Sequence, residues 1–319
     1  MITSIPTKKN LEHTYKRVQP FVHRTPILTS QLINELVGAN LFFKCENFQK
    51  AGAFKMRGAI NAIQQLSDNQ KNKGVVTHSS GNFAQAVSLA AKQLDVKAYI
   101  VMPSNAPKVK VDGVKTYDGI ITFSEPNLAS RESEAKRIQE ETGATFLHPS
   151  NDLNVILGQG TSAIELIEEE QNLDYMLTPV GGGGLIAGTA LANYYYNSNC
   201  KVIGGEPMQV NDAYRSLQSG KIEYNEHSNT IADGLRTHLG DVNFPIIKKL
   251  VDEILCVSEE EIIEAMQIIW ERMKIIIEPS SAVPFAAVLN NKKHFIGKNI
   301  GIILSGGNVD ISKLPFYKD

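Results

Sequence analysis

Four consecutive glycines, Gly181 to Gly184, stand between an apolar run, Tyr175-Met176-Leu177-Thr178-Pro179-Val180, and a helical pattern from Leu185 to Tyr196. Residues without a Cβ let the backbone turn through φ > 0 and let a ligand approach it closely. A fold that uses them here passes from a buried strand directly into a helix. The first N–H groups of that helix have no partner and point outward, which favours a phosphate. The run Gly181 to Gly188 does not keep dinucleotide-binding spacing, because Glu206, about one strand later, is followed by Pro207. It also lacks the Lys-Ser/Thr of a P-loop. The turn alone leaves the kind of phosphate open.

The surrounding pattern repeats this strand–turn–helix order. Gly74 to Thr77 reads as a strand, Ser79-Ser80-Gly81-Asn82 as a turn, and Ala84 to Ala91 as a helix. Lys97 to Met102 is a strand stopped by Pro103, and Val202 to Gly205 and Ile300 to Leu304 are buried-type strands. Ser258 with Glu261 forms a capping box that opens a helix. Such alternation predicts an α/β fold with mostly parallel sheets, whose ligands lie outside the carboxyl ends of the strands. At roughly 150 residues per domain, a chain of 319 residues suggests two domains. With 42% hydrophobic and 21% charged residues, it can build a substantial core.

The charge balance narrows the partners. Lys+Arg 32 against Asp+Glu 34 leaves a formal net charge of -2, with no basic field for nucleic acid or an anionic membrane. Cys45, Cys200 and Cys256 are widely spaced and form no disulfide framework or C-x-x-C pair. The first ten residues lack the apolar core of a signal peptide, and no run approaches the roughly 18 apolar residues of a membrane span. A cytoplasmic protein is expected.

Lys55 lies in Gly52-Ala53-Phe54-Lys55-Met56-Arg57-Gly58-Ala59. Between an aromatic residue and a methionine its ammonium is partly desolvated, which lowers its pKa and favours Schiff-base chemistry. Without other information, a snorkelling surface lysine is the simpler reading. Ser305-Gly306-Gly307-Asn308 and Ser79-Ser80-Gly81-Asn82 are each an ordinary polar turn. Three glycine turns at strand ends plus a lysine suggest one shared cleft. The seven histidines form no metal or triad pattern; His78 reads as a packing residue and Trp270 as core.

Seven motifs in register, Gly52 to Ala59, Ser79 to Asn82, Gly158-Gln159-Gly160-Thr161, the tetraglycine, Ile231-Ala232-Asp233-Gly234, Glu278-Pro279 and Ser305 to Asn308, resemble the serine racemase and serine/threonine dehydratase family. The resemblance runs from about Arg24 to Asp310. It implies a fold-type II pyridoxal-phosphate enzyme, similar to the tryptophan synthase β chain. Lys55 would then hold the cofactor covalently and Phe54 would pack beside its ring. Asn82 would meet the phenolic oxygen, Gly181 to Gly184 with Leu185 would cradle the phosphate, and Ser305 would meet the pyridine nitrogen. Gly234 and Glu278 would line the same pocket. A hydroxyl at the ring nitrogen makes a weaker electron sink than a carboxylate would, which suits elimination and racemisation better than transamination.

The resemblance also implies substrate contacts at Ser79, Ser80, Arg131, Ser150 and Gln159, with loops at Ser79 and Gln159 holding the carboxylate. Ser80, a position where biosynthetic threonine dehydratases have alanine, would face Lys55 across the cofactor as a second acid/base. Arg131 reads equally well as a solvated helix arginine. Glu206, Asp212 and the carbonyl of Val210 match the family's divalent-cation site, suited to Mg²⁺, Ca²⁺ or Mn²⁺. Gln85, Lys274 and Asn308 match an ATP site of animal racemases. Ala53, Phe83 and Ser150 depart from residues common in the family, which leaves substrate choice open.

A large domain of residues 1–73 and 151–319 and a mobile small domain of residues 74–150 are expected, in a homodimer. The expected activity is elimination of water from L-serine or L-threonine, giving pyruvate or 2-oxobutyrate and ammonia, with serine racemisation beside it. The alternatives are a serine or aspartate racemase and a 3-hydroxyaspartate ammonia-lyase.

Overall fold

The structure, a computed structural model, describes residues 5–79, 81–106 and 108–316. Two sheets organise it. The larger contains β1 (Ile27–Leu28), β2 (Asn40–Cys45), β7 (Tyr175–Pro179), β8 (Lys201–Pro207), β9 (Glu253–Val257) and β10 (Asn299–Leu304), in the order β1-β2-β10-β7-β8-β9. The smaller contains β3 (Val75–His78), β4 (Ala98–Pro103), β5 (Ile120–Ser124) and β6 (Thr145–Phe146), in the order β5-β4-β3-β6. The strands pair in parallel, apart from β1 against β2. Helices flank both sheets, so this is the two-sheet α/β architecture expected.

The apolar runs become strands because helices cover both faces. Every residue of β7 is buried, as are the last five of β10. A parallel strand sealed on both sides has no need to alternate polar and apolar residues. Pro103 and Pro207 each fall on the last residue of a strand. The box at Ser258 forms: its hydroxyl accepts from the Glu261 N–H, and the Glu261 carboxylate accepts from the Ser258 N–H at 2.7 Å. Trp270 is half-buried rather than core, and its indole N–H donates to the Ile277 carbonyl.

Chain order decides where the turns meet. All strands of the small sheet come from residues 75–146. β10, the last strand, inserts between β2 and β7, with Ile302 opposite Phe43 on one side and Leu177 on the other. The turn after β10 therefore lies beside the tetraglycine bend after β7, at the carboxyl edge where α/β sheets hold ligands.

Glycines weld three helices behind that edge. A Cβ on Gly158 would lie 2.3 Å from the Arg57 carbonyl oxygen, and one on Gly160 would lie 2.5 Å from the Gly188 carbonyl oxygen. The helix Leu153–Glu169 thus packs directly against both Lys55–Gln64 and Gly184–Tyr196. Gln159 was expected in a loop; it lies inside this helix instead. Asp152 starts the helix early, accepting from Asn154 N–H at 2.7 Å and Val155 N–H at 3.2 Å. Among the described residues, no helix is long and apolar enough to cross a membrane.

Candidate active site

Lys55 is the first residue of its helix. The loop before it is tied to the end of β10: Phe54 N–H donates to the Ser305 carbonyl at 3.0 Å, and Ala53 bridges Gly306. Lys55 Nζ donates to the Pro149 carbonyl at 2.8 Å. It lies 4.9 Å from the centre of the Phe54 ring and 5.7 Å from that of Phe83. Phe83, one of the departures from the family pattern, therefore supplies part of the apolar wall. Burial pulls the amine down to about 8, against the opposing attraction of Glu278. Desolvation disfavours the charged form, and the neutral amine it leaves is a nucleophile and base.

The carbonyl that Lys55 contacts leads into the tetraglycine bend. A Cβ on Gly182 would lie 2.3 Å from Ser150 Oγ, and one on Gly184 would lie 2.5 Å from Gln159 Oε1. Gly183 has φ +79°, and its Cβ would come within 2.6 Å of Leu239 Cδ2. No side chain caps the helix that begins at Gly184, with Leu185 in its first turn. The bend is pinned from behind, where Asn243 Nδ2 donates to the carbonyls of Gly182 at 2.8 Å and Ser150 at 3.0 Å. A cradle of backbone with an uncapped helix start fits a phosphate. On the far side, Gly234 N–H donates to Ser280 Oγ at 3.1 Å.

The opposite wall is a chain of amides and carboxylates. Asn82 Nδ2 donates to both oxygens of Glu278, at 2.9 and 3.0 Å, and its Oδ1 accepts from Asn308 Nδ2 at 3.0 Å. This fixes which end of the amide is the donor. Burial, then the nearby Asp233 carboxylate, push Glu278 up to about 7. Ser305 is buried and meets Ser281 Oγ at 3.0 Å. Lys110, on the helix Lys108–Thr116 of the small sheet, pairs with Asp233 beside the large sheet, closing one side of the cleft.

Of the remaining expected residues, Ser79 Oγ accepts from Gly81 N–H at 3.3 Å. Ser80 lies outside the described residues. Gln159 is fully buried, donating to the Pro149 carbonyl at 3.2 Å, and its Oε1 has no partner. Arg131 is half-buried with its Nε also unpartnered, and burial lowers its pKa. His78 stacks on Phe146 and faces His148 edge-on, in the packing role expected. Asn308 also donates to the Ala51 carbonyl at 2.8 Å, Gln85 is buried, and Lys274 Nζ donates to the Glu271 carbonyl.

Glu206 and Asp212 are both buried beside Val210. The Glu206 oxygens accept from Ala213 and Tyr214 N–H at 2.9 and 2.8 Å. Burial, then Asp212, push Glu206 well above the usual carboxylate range; burial pushes Asp212 to about 6. Asp212 Oδ2 has no partner. Two crowded buried carboxyls with an orphaned oxygen fit a hard divalent cation. Among the described residues no three His, Cys, Asp or Glu side chains converge, so backbone oxygen and water would complete such a shell.

Sequence reasoning missed three groups. His148 Nδ1 accepts from Asn151 and Ser150 N–H, which places its one proton on Nε2; burial, then His78 and Lys55, pull it down to about 4. Asn243 and Pro149 act through backbone contacts that leave no local pattern. The third is a buried ion cluster beneath Lys55. Arg57 bonds both oxygens of Glu46 (2.7 and 2.8 Å) and both of Glu165 (2.7 Å each), while Lys44 pairs with Glu165 at 2.8 Å. The motif around Lys55 contains Arg57, but its acidic partners come from distant segments.

Comparison with known proteins agrees with this geometry. The family described as "Pyridoxal-phosphate dependent enzyme" matches residues 18–306. A β-hydroxyaspartate dehydratase from Paracoccus denitrificans is 48% identical over 98% of this chain and 99% of its own. Serine racemase from Dictyostelium discoideum is 49% identical over 97% and 96%. The solved structure of maize serine racemase has a TM-score of 0.93 at 47% identity, covering 95% of this chain and 94% of its own. The chain belongs to the pyridoxal-phosphate-dependent enzymes, in the fold-type II group that includes the serine racemases and hydroxyamino-acid dehydratases. Its activity is of the racemase or ammonia-lyase kind, on an amino acid.

Proposed function

We propose that this enzyme eliminates water from L-serine and L-threonine, giving pyruvate or 2-oxobutyrate and ammonia, and racemises serine as a side reaction. The observation that carries this reading is Lys55: a buried amine pulled down to about 8, walled by two phenyl rings and aimed at the loop beside an anion cradle. The cofactor, when bound, supplies the electron sink for the α-carbon. The bend at 181–184 with Leu185 holds the phosphate, Phe54 packs beside the ring, and Gly234 and Glu278 line the same pocket. Asn82 donates its second amide hydrogen to the phenolic oxygen while Glu278 takes the first. Lys55 Nζ would take the α-proton, the β-hydroxyl would leave as water with the proton Lys55 has taken up, and a second water would hydrolyse the released enamine to the 2-oxo acid and ammonia. Ser79, Ser150 and Gln159 border the substrate carboxylate. Ser80, on the strength of the resemblance, returns a proton to the opposite face of Cα.

The segment 74–150 closes as a unit over the substrate, with the Lys110–Asp233 pair as one contact across the gap. A divalent cation, Mg²⁺, Ca²⁺ or Mn²⁺, sits at Glu206, Asp212 and the Val210 carbonyl, and the enzyme works as a homodimer.

A second reading is favoured by one observation. Arg131, whose buried Nε has no partner and which lies near His78, suits a substrate with a second carboxylate, namely 3-hydroxyaspartate. A panel of L- and D-hydroxyamino acids, scoring 2-oxo acid and chiral product, separates the two. Lys55→Ala should fold, lose the covalently held chromophore and lose at least about 10²–10⁴-fold in turnover. Near-normal turnover in that variant rejects the assignment. Ser80→Ala should keep L-serine elimination and lose racemisation.

A further inference from the structure

Asn243 stands just before the helix Phe244–Leu250, fully buried behind the tetraglycine bend. An amide side chain has two hydrogens to give and one oxygen that accepts. Both hydrogens are used: Nδ2 donates to the Gly182 carbonyl at 2.8 Å and to the Ser150 carbonyl at 3.0 Å. The oxygen accepts from Gly240 N–H at 3.0 Å. Carbonyls only accept, so this amide has a single possible orientation. The return brace is Asn151. Its Oδ1 accepts from Val242 N–H at 2.8 Å and Asn243 N–H at 3.4 Å, and its Nδ2 donates to Asp241 Oδ1 at 2.8 Å. Each asparagine thus grips the backbone beside the other. In a planar trans peptide the C=O and the following N–H point in opposite directions. The Gly182 carbonyl is drawn back to Asn243, so the Gly183 N–H is turned forward. Among the described residues, no acceptor takes that N–H. A Cβ on Gly183 would lie 3.0 Å from Asn243 Oδ1, so the amide packs against the residue whose N–H it aims.

We infer that Asn243 is a positioning residue that turns the Gly182–Gly183 peptide so that its N–H faces the anion in the cleft. The inference rests on the proposed seating of the cofactor phosphate at the bend 181–184 with Leu185. Glycines without the brace are free to rotate that peptide plane. The N–H would then swing away from the phosphate, and a carbonyl oxygen, which repels an anion, would take its place. Ser150 is the fixed point of the brace. It follows Pro149, whose carbonyl takes the Lys55 amine at 2.8 Å. One amide therefore fixes the phosphate bend relative to the segment that meets the reactive lysine.

The test compares two ligands of the apoenzyme: pyridoxal phosphate, and pyridoxal, which lacks the phosphate. Both carry the aldehyde that Lys55 captures, so both affinities are read from the absorbance of the covalent chromophore. Asn243→Leu keeps the bulk and adds no charge. It should weaken pyridoxal phosphate about 10- to 100-fold, the worth of one hydrogen bond to a charged group, and leave pyridoxal within about threefold. The phosphorus NMR signal of the bound cofactor should move toward that of free cofactor. Asn243→Ser keeps a donor but is too short to reach both carbonyls. It should act the same way by less, and it carries the test if the leucine variant does not fold. Equal weakening of the two ligands, or weakening of neither, would overturn the inference and leave Asn243 a plain structural residue. Gly183→Ala should also weaken pyridoxal phosphate more than pyridoxal. If it does not, the seating of the phosphate at the bend is what fails.

Discussion

Replacing Arg57 by methionine tests how the reactive lysine is held. The two residues are two positions apart on the first turn of the same helix, and Arg57 anchors that turn to Glu46 and Glu165. The cluster is neutral as it stands: Lys44 and Arg57 balance Glu46 and Glu165, all of them buried. Methionine fills the volume but leaves one negative charge without a partner. Removing one member of a buried pair costs about 3–5 kcal/mol. A domain of this size loses about 2–4 °C in Tm per kcal/mol, so the holoenzyme should melt about 6–20 °C lower. The pH dependence has a definite sign. Burial pushes the Glu165 carboxyl up, but Arg57 and then Lys44 outweigh it and hold it below its ordinary value. That stability is present above the unfolded value of about 4.5 and is lost as pH falls through the lower folded value. In the variant the Arg57 attraction is gone and burial dominates, so a proton is taken up at higher pH. The gap between parent and variant should therefore narrow as pH falls toward the ordinary carboxylate value of about 4.5, read by urea unfolding. Arg57→Met with Glu46→Gln restores neutrality and should recover part of the loss. A loss under about 1 kcal/mol, or a double variant worse than the single, would refute the charge argument.

Other outcomes follow from single sites. With the Lys55 amine near 8, cofactor capture by the apoenzyme should quicken about tenfold per pH unit up to about pH 8 and then level off; a rise continuing to about pH 10 would mean an ordinary lysine. Gly183→Ala strains a left-handed residue by about 1–2 kcal/mol and drives a methyl against Leu239, so cofactor dissociation should quicken; unchanged retention would remove the bend from the phosphate site. Mg²⁺ at about 100 times its Kd should stabilise the parent by about 2.7 kcal/mol and chelation should reverse this, whereas Asp212→Asn should melt at the same temperature either way.

Much of this fold is written in local pattern. Apolar runs at 75–77, 175–179 and 300–304 are strands because both faces are sealed, and the glycine turns after them mark strand ends. The Gly158-Gln159-Gly160 motif was legible as a motif but not as a helix interior, because its glycines answer to Arg57 and Gly188 rather than to a turn.

The sequence by itself determined the element types, the anion-seeking bend and the family, since each depends on neighbours a few residues away or on motif order. Only the tertiary structure decided which groups meet: Lys55 with Pro149, Asn82 with Glu278, Asn243 with Gly182, and Ser281 with Ser305. Proton affinities and donor directions depend on desolvation and on partners brought from distant segments. No local pattern of residues encodes those, because β10 slots between β2 and β7 only once the chain has folded.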